Sequence, residues 1–172
     1  VLAYMDDIIL FSKNSEQHLA TLAEVLSKLA DAGLKLKIQK CHFFAQNIKF
    51  LGYRMTQNGM AMDQEKVASI KGMPMPTSKK SLQSFLGVCN YFRVFVRNFA
   101  QIAEPLYRLL RKNEKFMWTE SQTQAVERLK DCLANSPVVK FPDYKKTFYL
   151  HTDASNVGIG AVLLQEFRKI LH

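Results

Sequence analysis

The sequence predicts an α+β chain, and three observations carry that prediction. Short runs rich in β-branched and aromatic residues stand at both ends and near residue 50. Segments with apolar residues at i, i+3, i+4 and i+7 lie between them. Gly or Pro separates the two kinds of segment at several junctions, which are the strongest breaks available to a polypeptide.

Residues 1–12, VLAYMDDIILFS, hold two apolar runs around Met5-Asp6-Asp7 and predict a tight hairpin with the Asp pair at its tip. Residues 15–32 predict an amphipathic helix: Leu19, Leu22, Ala23, Leu26, Leu29 and Ala30 share a face, Asn14 or Ser15 caps the start and Gly33 closes the end. Residues 34–62 read as short strands, the firmest being Ile48–Met55, with a turn at Asn58-Gly59. Asp63 caps a short helix ending near Gly72, and the two prolines of Met73-Pro74-Met75-Pro76-Thr77 impose a break and a subdomain boundary. A helix then starts at Thr77 or Ser78 with Leu82, Phe85, Leu86, Cys89 and Phe92 on one face. A second covers roughly 99–111, and a third runs from Thr119, where Thr119 and Gln122 have capping-box spacing, to about Asn135. After Pro137 strands return at Val138–Phe141, Phe148–Asp153 and Val157–Gln165.

With 172 residues, 48% of them hydrophobic, the chain can bury a sizeable core, and disorder or low-complexity classes are excluded. No apolar run approaches the ~18 residues of a membrane span. Lys and Arg number 24 against 15 acidic residues, a net charge of +9, so a polyanionic partner is expected, with nucleic acid ahead of an anionic membrane surface. The membrane surface is set aside because the helix at 15–32 is nearly balanced, with Glu16, Glu24 and Asp31 against Lys28. Cys41, Cys89 and Cys132 are odd in number and far apart, and read as reduced core residues of an intracellular chain. Val1 opens directly on apolar sequence without a signal peptide, and the last residues stop without punctuation, so a piece of a longer chain is expected.

The charge is uneven. Residues 1–33 carry a net of −3, residues 34–54 hold Lys35, Lys37, Lys40, Lys49 and Arg54 with no acid, and residues 79–115 carry a net of +6. Aromatic residues interleave with both basic blocks (Phe43, Phe44, Tyr53; Tyr91, Phe92, Phe95, Phe99), the pattern of a groove that tracks phosphates. Salt-dependent binding to a duplex with little sequence preference is the expectation.

Asp6 and Asp7 are the sharpest chemical signal. Their neighbours favour burial, and burying an unpaired carboxylate costs several kcal/mol. The chain must therefore turn there and expose them, or a cation must neutralise them. A solvent-exposed turn is one reading; the other is ligation of Mg²⁺ for phosphoryl transfer, with Mn²⁺ an alternative ion. Asp153, at the end of a strand before Gly158-Ile159-Gly160, is either a turn residue or a carboxylate of a second metal centre. Cys41-His42 lacks the second ligand pair of a zinc site, and no dinucleotide fingerprint or phosphate loop is present.

These segments, in their order, resemble the polymerase region of retrotransposon reverse transcriptases, most closely the gypsy-like long-terminal-repeat group. Tyr4-Met5-Asp6-Asp7 is similar to the catalytic box, and Gly33–Lys37 with Lys40-Cys41-His42-Phe43 to the strand that follows it. Phe50-Leu51-Gly52-Tyr53 resembles the primer-grip hairpin; Pro74–Thr77, Ser84–Gly87 and Tyr91–Arg93 resemble the thumb. Phe116–Thr119 and Pro137-Val138 fit the connection, and Thr152-Asp153-Ala154-Ser155 through Val162-Leu163 resembles the opening of a tethered ribonuclease H domain. Met73, Phe92 and Val94 depart from the family's usual Trp, Tyr and Arg.

The resemblance implies a partial palm over residues 1–72, thumb and connection helices over 73–136, and a truncated ribonuclease H-like start over 137–172. It implies an RNA-directed DNA polymerase with ribonuclease H activity, working by two-metal nucleotidyl transfer on an RNA template, a DNA primer and deoxynucleoside triphosphates. Asp6 and, more weakly, Asp7 would ligate the polymerase metals and Asp153 the nuclease metal. Tyr4, Met5, Phe50, Leu51, Gly52 and Tyr53 would sit at the primer end, and Lys79, Lys80, Arg93 and Arg97 on the duplex backbone. Other metal-binding carboxylates would lie outside these 172 residues, so the piece alone is expected to be inactive. The rival reading is a non-catalytic nucleic-acid-binding remnant of a decayed or domesticated element.

Overall fold

The computed structural model describes residues 1–154, 159–167 and 170–171. The backbone forms two compact units, Val1–Ala45 and Gln46–His172.

In the first unit β1 (Leu2–Tyr4) and β2 (Asp7–Ile9) pair antiparallel, with Leu2 opposite Ile9 and Tyr4 opposite Asp7. Helix α1 (Ser15–Asp31) is capped by Asn14, whose side chain accepts the Gln17 N–H at 2.9 Å. It ends in a Schellman arrangement, Gly33 N–H donating to Ala30 and Leu34 N–H to Leu29, both at 2.9 Å. No residue of α1 is buried, so its apolar stripe is open. The strands expected over residues 34–47 do not form, and the stretch holds only a 3₁₀ turn at Ile38–Lys40. Leu34-Lys35-Leu36-Lys37-Ile38 alternates as a strand should, but no described strand lies beside it to complete a ladder, and an isolated strand is unstable in water.

The second unit opens with the segment that alternation marks as one strand, Ile48–Met55. It is two: β3 (Ile48–Phe50) and β4 (Tyr53–Thr56). Leu51 and Gly52 connect them with φ of +51° and +80°, the left-handed pair of a type I′ turn. The hairpin implied by the family resemblance is therefore present where simple alternation misses it. β5 (Gly59–Met62) pairs with β4 after Gln57-Asn58, so the connection falls one residue earlier than Asn58-Gly59. Val138–Phe141 is not a strand; only Val139 pairs, as a single antiparallel bridge to Met60.

Helix α2 (Gln64–Lys71) starts after Asp63 and stops at Gly72 as expected, though the Asp63 side chain makes no cap bond. That carboxylate is nearly buried and faces Lys49 Nζ at 3.4 Å. Helix α3 (Lys79–Tyr91) begins with a reciprocal box in which Ser78 and Ser81 exchange backbone-to-hydroxyl bonds at 3.0 and 3.2 Å. Helices α4 (Phe99–Leu109) and α5 (Glu120–Ala134) follow. Gln122 is buried: its Oε1 accepts the Thr119 N–H at 3.0 Å and its Nε2 donates to the Pro105 carbonyl at 3.2 Å.

One hydrophobic core joins these elements. Met62, Val67 and Ile70 meet Leu82, Phe85, Leu86, Cys89 and Phe92 of the α3 region, Leu106 of α4, and Val126, Leu129 and Leu133 of α5. Leu82, Leu106 and Leu129 are completely buried, each contributing about 1.5–3 kcal/mol by removal from water. Of the three free thiols Cys89 is buried in the core and Cys132, half-buried, packs against it; Cys41 is half-buried and takes no part in that core, which corrects the expectation for that residue. The chain ends in β6 (Phe148–Ala154), β7 (Ile159–Phe167) and β8 (Ile170–Leu171), antiparallel in that order. Ser155, Val157 and Gly158, which the sequence placed in this turn and strand, lie outside the described residues.

Candidate active site and nucleic-acid face

The β1–β2 hairpin has a two-residue connection, Met5-Asp6, while Asp7 is already the first residue of β2. Met5 holds a φ of +52° and is 89% exposed. A left-handed conformation in a residue with a long side chain costs free energy, so this turn stores strain at the place where the two carboxylates are presented. Asp6 and Asp7 are both exposed, and neither side chain has a hydrogen-bond or ion-pair partner among the described residues. Tyr4 faces the same side as Asp7, being directly opposite it in the ladder.

Two free carboxylates are hard oxygen donors of the kind that Mg²⁺ or Mn²⁺ takes, and their open surroundings leave room for water ligands. They fit part of such a site. Among the described residues no three His, Cys, Asp or Glu side chains gather into a complete ligand set. Asp153 belongs to the second unit, where it is exposed in β6 opposite Gly160 of β7.

The β3–β4 turn is held from α3. Tyr91 Oη donates to the Leu51 carbonyl at 2.9 Å, and Tyr53 Oη donates to the Tyr91 carbonyl at 3.2 Å. The two rings stack with centroids 5.5 Å apart, and Phe92 meets both edge-on at 5.4 and 4.8 Å. Burial, with smaller contributions from Tyr91, pushes the Tyr53 phenol up to about 12. Gly52 is favoured twice: by its left-handed φ, and because a Cβ would stand 3.3 Å from the Phe92 ring, which would have to give way slightly. Phe50 and Leu51 are half-buried beside it. Tyr91 and Phe92 are thus the supports of the hairpin, a role that no local pattern discloses because the contact spans 40 residues.

The basic face is thinner than the formal count suggests. Lys49 is bound to Glu65 at 2.6 Å, and that bond is the main cause raising its ammonium above the usual range. Arg108 makes a two-pronged contact with Glu104 at 2.9 Å. Lys79 is half-buried, its Nζ donating to the Arg111 carbonyl at 3.3 Å. Lys80, Arg93 and Arg97 are exposed, with no acidic partner among the described residues. Arg93 reaches only the neutral Asn90 side chain, at 3.5 Å. These three cations are free for an external anion.

Residues 1–55 match the family described as reverse transcriptase (RNA-dependent DNA polymerase), and residues 118–171 match the RNase H-like domain found in reverse transcriptase. The Transposon Tf2-3 and Tf2-4 polyproteins of Schizosaccharomyces pombe are each 40% identical over 166 residues, which is 96% of this chain. The chain spans 12% of the length of these relatives. A solved structure of the foamy viral protease-reverse transcriptase with RNA/DNA hybrid aligns with a TM-score of 0.80 at 27% identity, over 96% of this chain and 22% of that one. A second, in complex with double-stranded DNA, aligns with a TM-score of 0.80 at 28% identity, over 90% and 28%. The chain therefore matches the reverse transcriptase and ribonuclease H-like region of gypsy-like long-terminal-repeat retrotransposon polyproteins, with reverse transcriptase similarity in its first third and ribonuclease H-like similarity in its last.

Proposed function

We propose that this chain is the central stretch of an RNA-directed DNA polymerase with a tethered ribonuclease H, replicating a retroelement. The observation that carries the reading is the strained Met5-Asp6 turn, which presents two unpartnered carboxylates within the segment that matches the reverse transcriptase family. In this reading residues 1–72 are the end of the palm, 73–136 the thumb and connection, and 137–172 the start of the ribonuclease H part.

Asp6 and Asp7 hold divalent ions, Mg²⁺ by preference, with further carboxylates from the longer protein. Bound ions of this kind lower the pKa of an attacking hydroxyl and stabilise the leaving oxygen of a phosphoryl transfer. Tyr4 and Met5 flank the primer terminus. Phe50, Leu51, Gly52 and Tyr53 fix the primer end so that its hydroxyl lies in line with the incoming deoxynucleoside triphosphate. Alignment alone can remove several kcal/mol of the barrier, which gives the tyrosine supports behind that hairpin a purpose. Lys79, Lys80, Arg93 and Arg97 follow the backbone of the template–primer duplex; the two solved foamy viral structures are complexes with double-stranded DNA and with RNA/DNA hybrid. Asp153 is a metal ligand of the nuclease centre.

The test is Asp6→Asn in the full-length polyprotein. Primer extension is expected to fall by at least 10³-fold, on the order of 4 kcal/mol of barrier, while duplex binding is retained. Extension at an undiminished rate would remove Asp6 from the chemistry.

A further inference from the structure

We propose that the single antiparallel bridge at Val139 is a positioning contact, which sets where the nuclease cuts its hybrid relative to the primer end, and that Gly59 is the residue that permits it. The proposal rests on the functional reading above.

β5 lies at the edge of its three-stranded sheet, with one side paired to β4 and the other open. Val139 occupies that open side. Met60 N–H donates to the Val139 carbonyl at 2.7 Å, and Val139 N–H donates to the Met60 carbonyl at 2.8 Å. These are the two closely spaced hydrogen bonds of an antiparallel pair. Gly59 makes the approach possible. Its φ is +136°, and a Cβ there would lie 2.2 Å from the Val139 oxygen, 2.9 Å from the Val139 carbonyl carbon and 3.0 Å from the Lys140 Cα. All three are backbone atoms, which cannot swing aside as a side chain can. Any other residue at 59 must push the segment off the sheet.

A second clamp follows four residues later. Gln165 in β7 accepts the Asp143 N–H and donates to the Asp143 carbonyl, both at 2.7 Å, so its amide acts as a short piece of strand. Residues 139–143 therefore link the sheet of the β3–β4 hairpin to the sheet that carries Asp153. Four residues span at most about 14 Å. A connection pinned at both ends holds two sheets in register, whereas an unpinned linker of the same length lets them wander. The proposed primer-end hairpin and the proposed nuclease carboxylate are the elements so coupled.

The experiment uses the full-length protein on an RNA template paired to a DNA primer, with cut positions mapped on end-labelled RNA relative to the primer 3′ end. Wild type and Val139→Ala, which keeps both backbone bonds, are expected to cut in one narrow window. Gly59→Ala and Val139→Pro, the latter lacking the N–H donor, are expected to spread the cuts over a wider window, with extension and total cleavage each kept within about threefold. An unmoved window in an active Val139→Pro protein overturns the proposal. So does parallel loss of both activities in Val139→Pro, which would make the bridge a folding contact only. Should Gly59→Ala fail to fold, Val139→Pro carries the test, because it adds nothing at the Gly59 contact. A wild-type protein that neither extends nor cleaves overturns the functional reading and the proposal together.

Discussion

The Tyr53–Tyr91 support invites a quantitative test, because its two hydrogen bonds and its ring contact can be removed separately. Tyr91→Phe deletes the donor to the Leu51 carbonyl (2.9 Å), and Tyr53→Phe deletes the donor to the Tyr91 carbonyl (3.2 Å). Each bond is partly solvated, so each loss costs about 0.5–1 kcal/mol. The two share no atom: both acceptors are backbone carbonyls that the other substitution leaves in place. The double Phe variant should therefore lose the sum, within about 0.5 kcal/mol. Alanine behaves differently, because the rings stack at 5.5 Å with an interplanar angle of 29°. Once one ring is gone, removing the second no longer breaks that contact, so the double Ala variant should be less destabilised than the sum by about 0.5–1.5 kcal/mol. Urea denaturation of the 172-residue chain, followed through Trp118, its one tryptophan, measures all six variants. Additive Ala costs, or coupling above about 1 kcal/mol between the hydroxyl deletions, would refute the reasoning.

Three further outcomes are expected. The Tyr53 phenol is raised to about 12 in the folded chain and ionises near ~10 when unfolded. The folded state thus holds the proton longer, and the stability this represents is whole below about pH 10 and lost as pH climbs toward 12. Urea midpoints between pH 9 and 11.5 should fall less steeply in Tyr53→Phe, and identical slopes would contradict the burial. Burial likewise pushes the Cys89 thiol up to about 12, so at about pH 9, near the ordinary thiol pKa, an alkylating reagent should modify Cys41 and Cys132 first. Cys89 should react only with denaturant, and prompt labelling of it by mass spectrometry would place it outside the core. Arg93→Ala with Arg97→Ala should lower the slope of log affinity against log salt for duplex by about 1.8 if each meets one phosphate; an unchanged slope would take these residues off the backbone.

Local chemistry made much of this fold readable. Asn14, the Ser78 start and Thr119 with Gln122 mark helix beginnings because a cap is satisfied within three residues, and the structure has all three helices where those signals stand. The errors share a cause. Alternation reports which face a side chain prefers, but whether a strand exists depends on a neighbour to pair with. Hence Leu34–Ile38 reads as a strand and is not one, and Val139 keeps a single bridge of an expected four-residue run. Leu51-Gly52 hid inside Ile48–Met55 because leucine rarely takes the first left-handed place of such a turn. Asp63 looked like a cap and instead faces Lys49, fourteen residues away. At the site, the exposed Asp pair was legible from its apolar flanks. The tyrosine support and the Gly59–Val139 approach were not, since they join residues 38 to 80 apart.

Gln122 shows how one amide can set local preference against the needs of the whole. Its oxygen serves the first turn of its own helix and its nitrogen serves the Pro105 carbonyl on another. A glutamate at this place would be the better choice for α5 in isolation, since an acid in the first turn suits the helix dipole and completes the same box. In the folded chain it would bring a buried oxygen against the Pro105 carbonyl, with no hydrogen between them. Optimising the helix as a peptide would thus weaken the protein. Spontaneous hydrolysis of that amide, a slow chemical ageing of glutamine, would make the same exchange in molecules already folded. The seam between α4 and α5 is where such wear would first be felt.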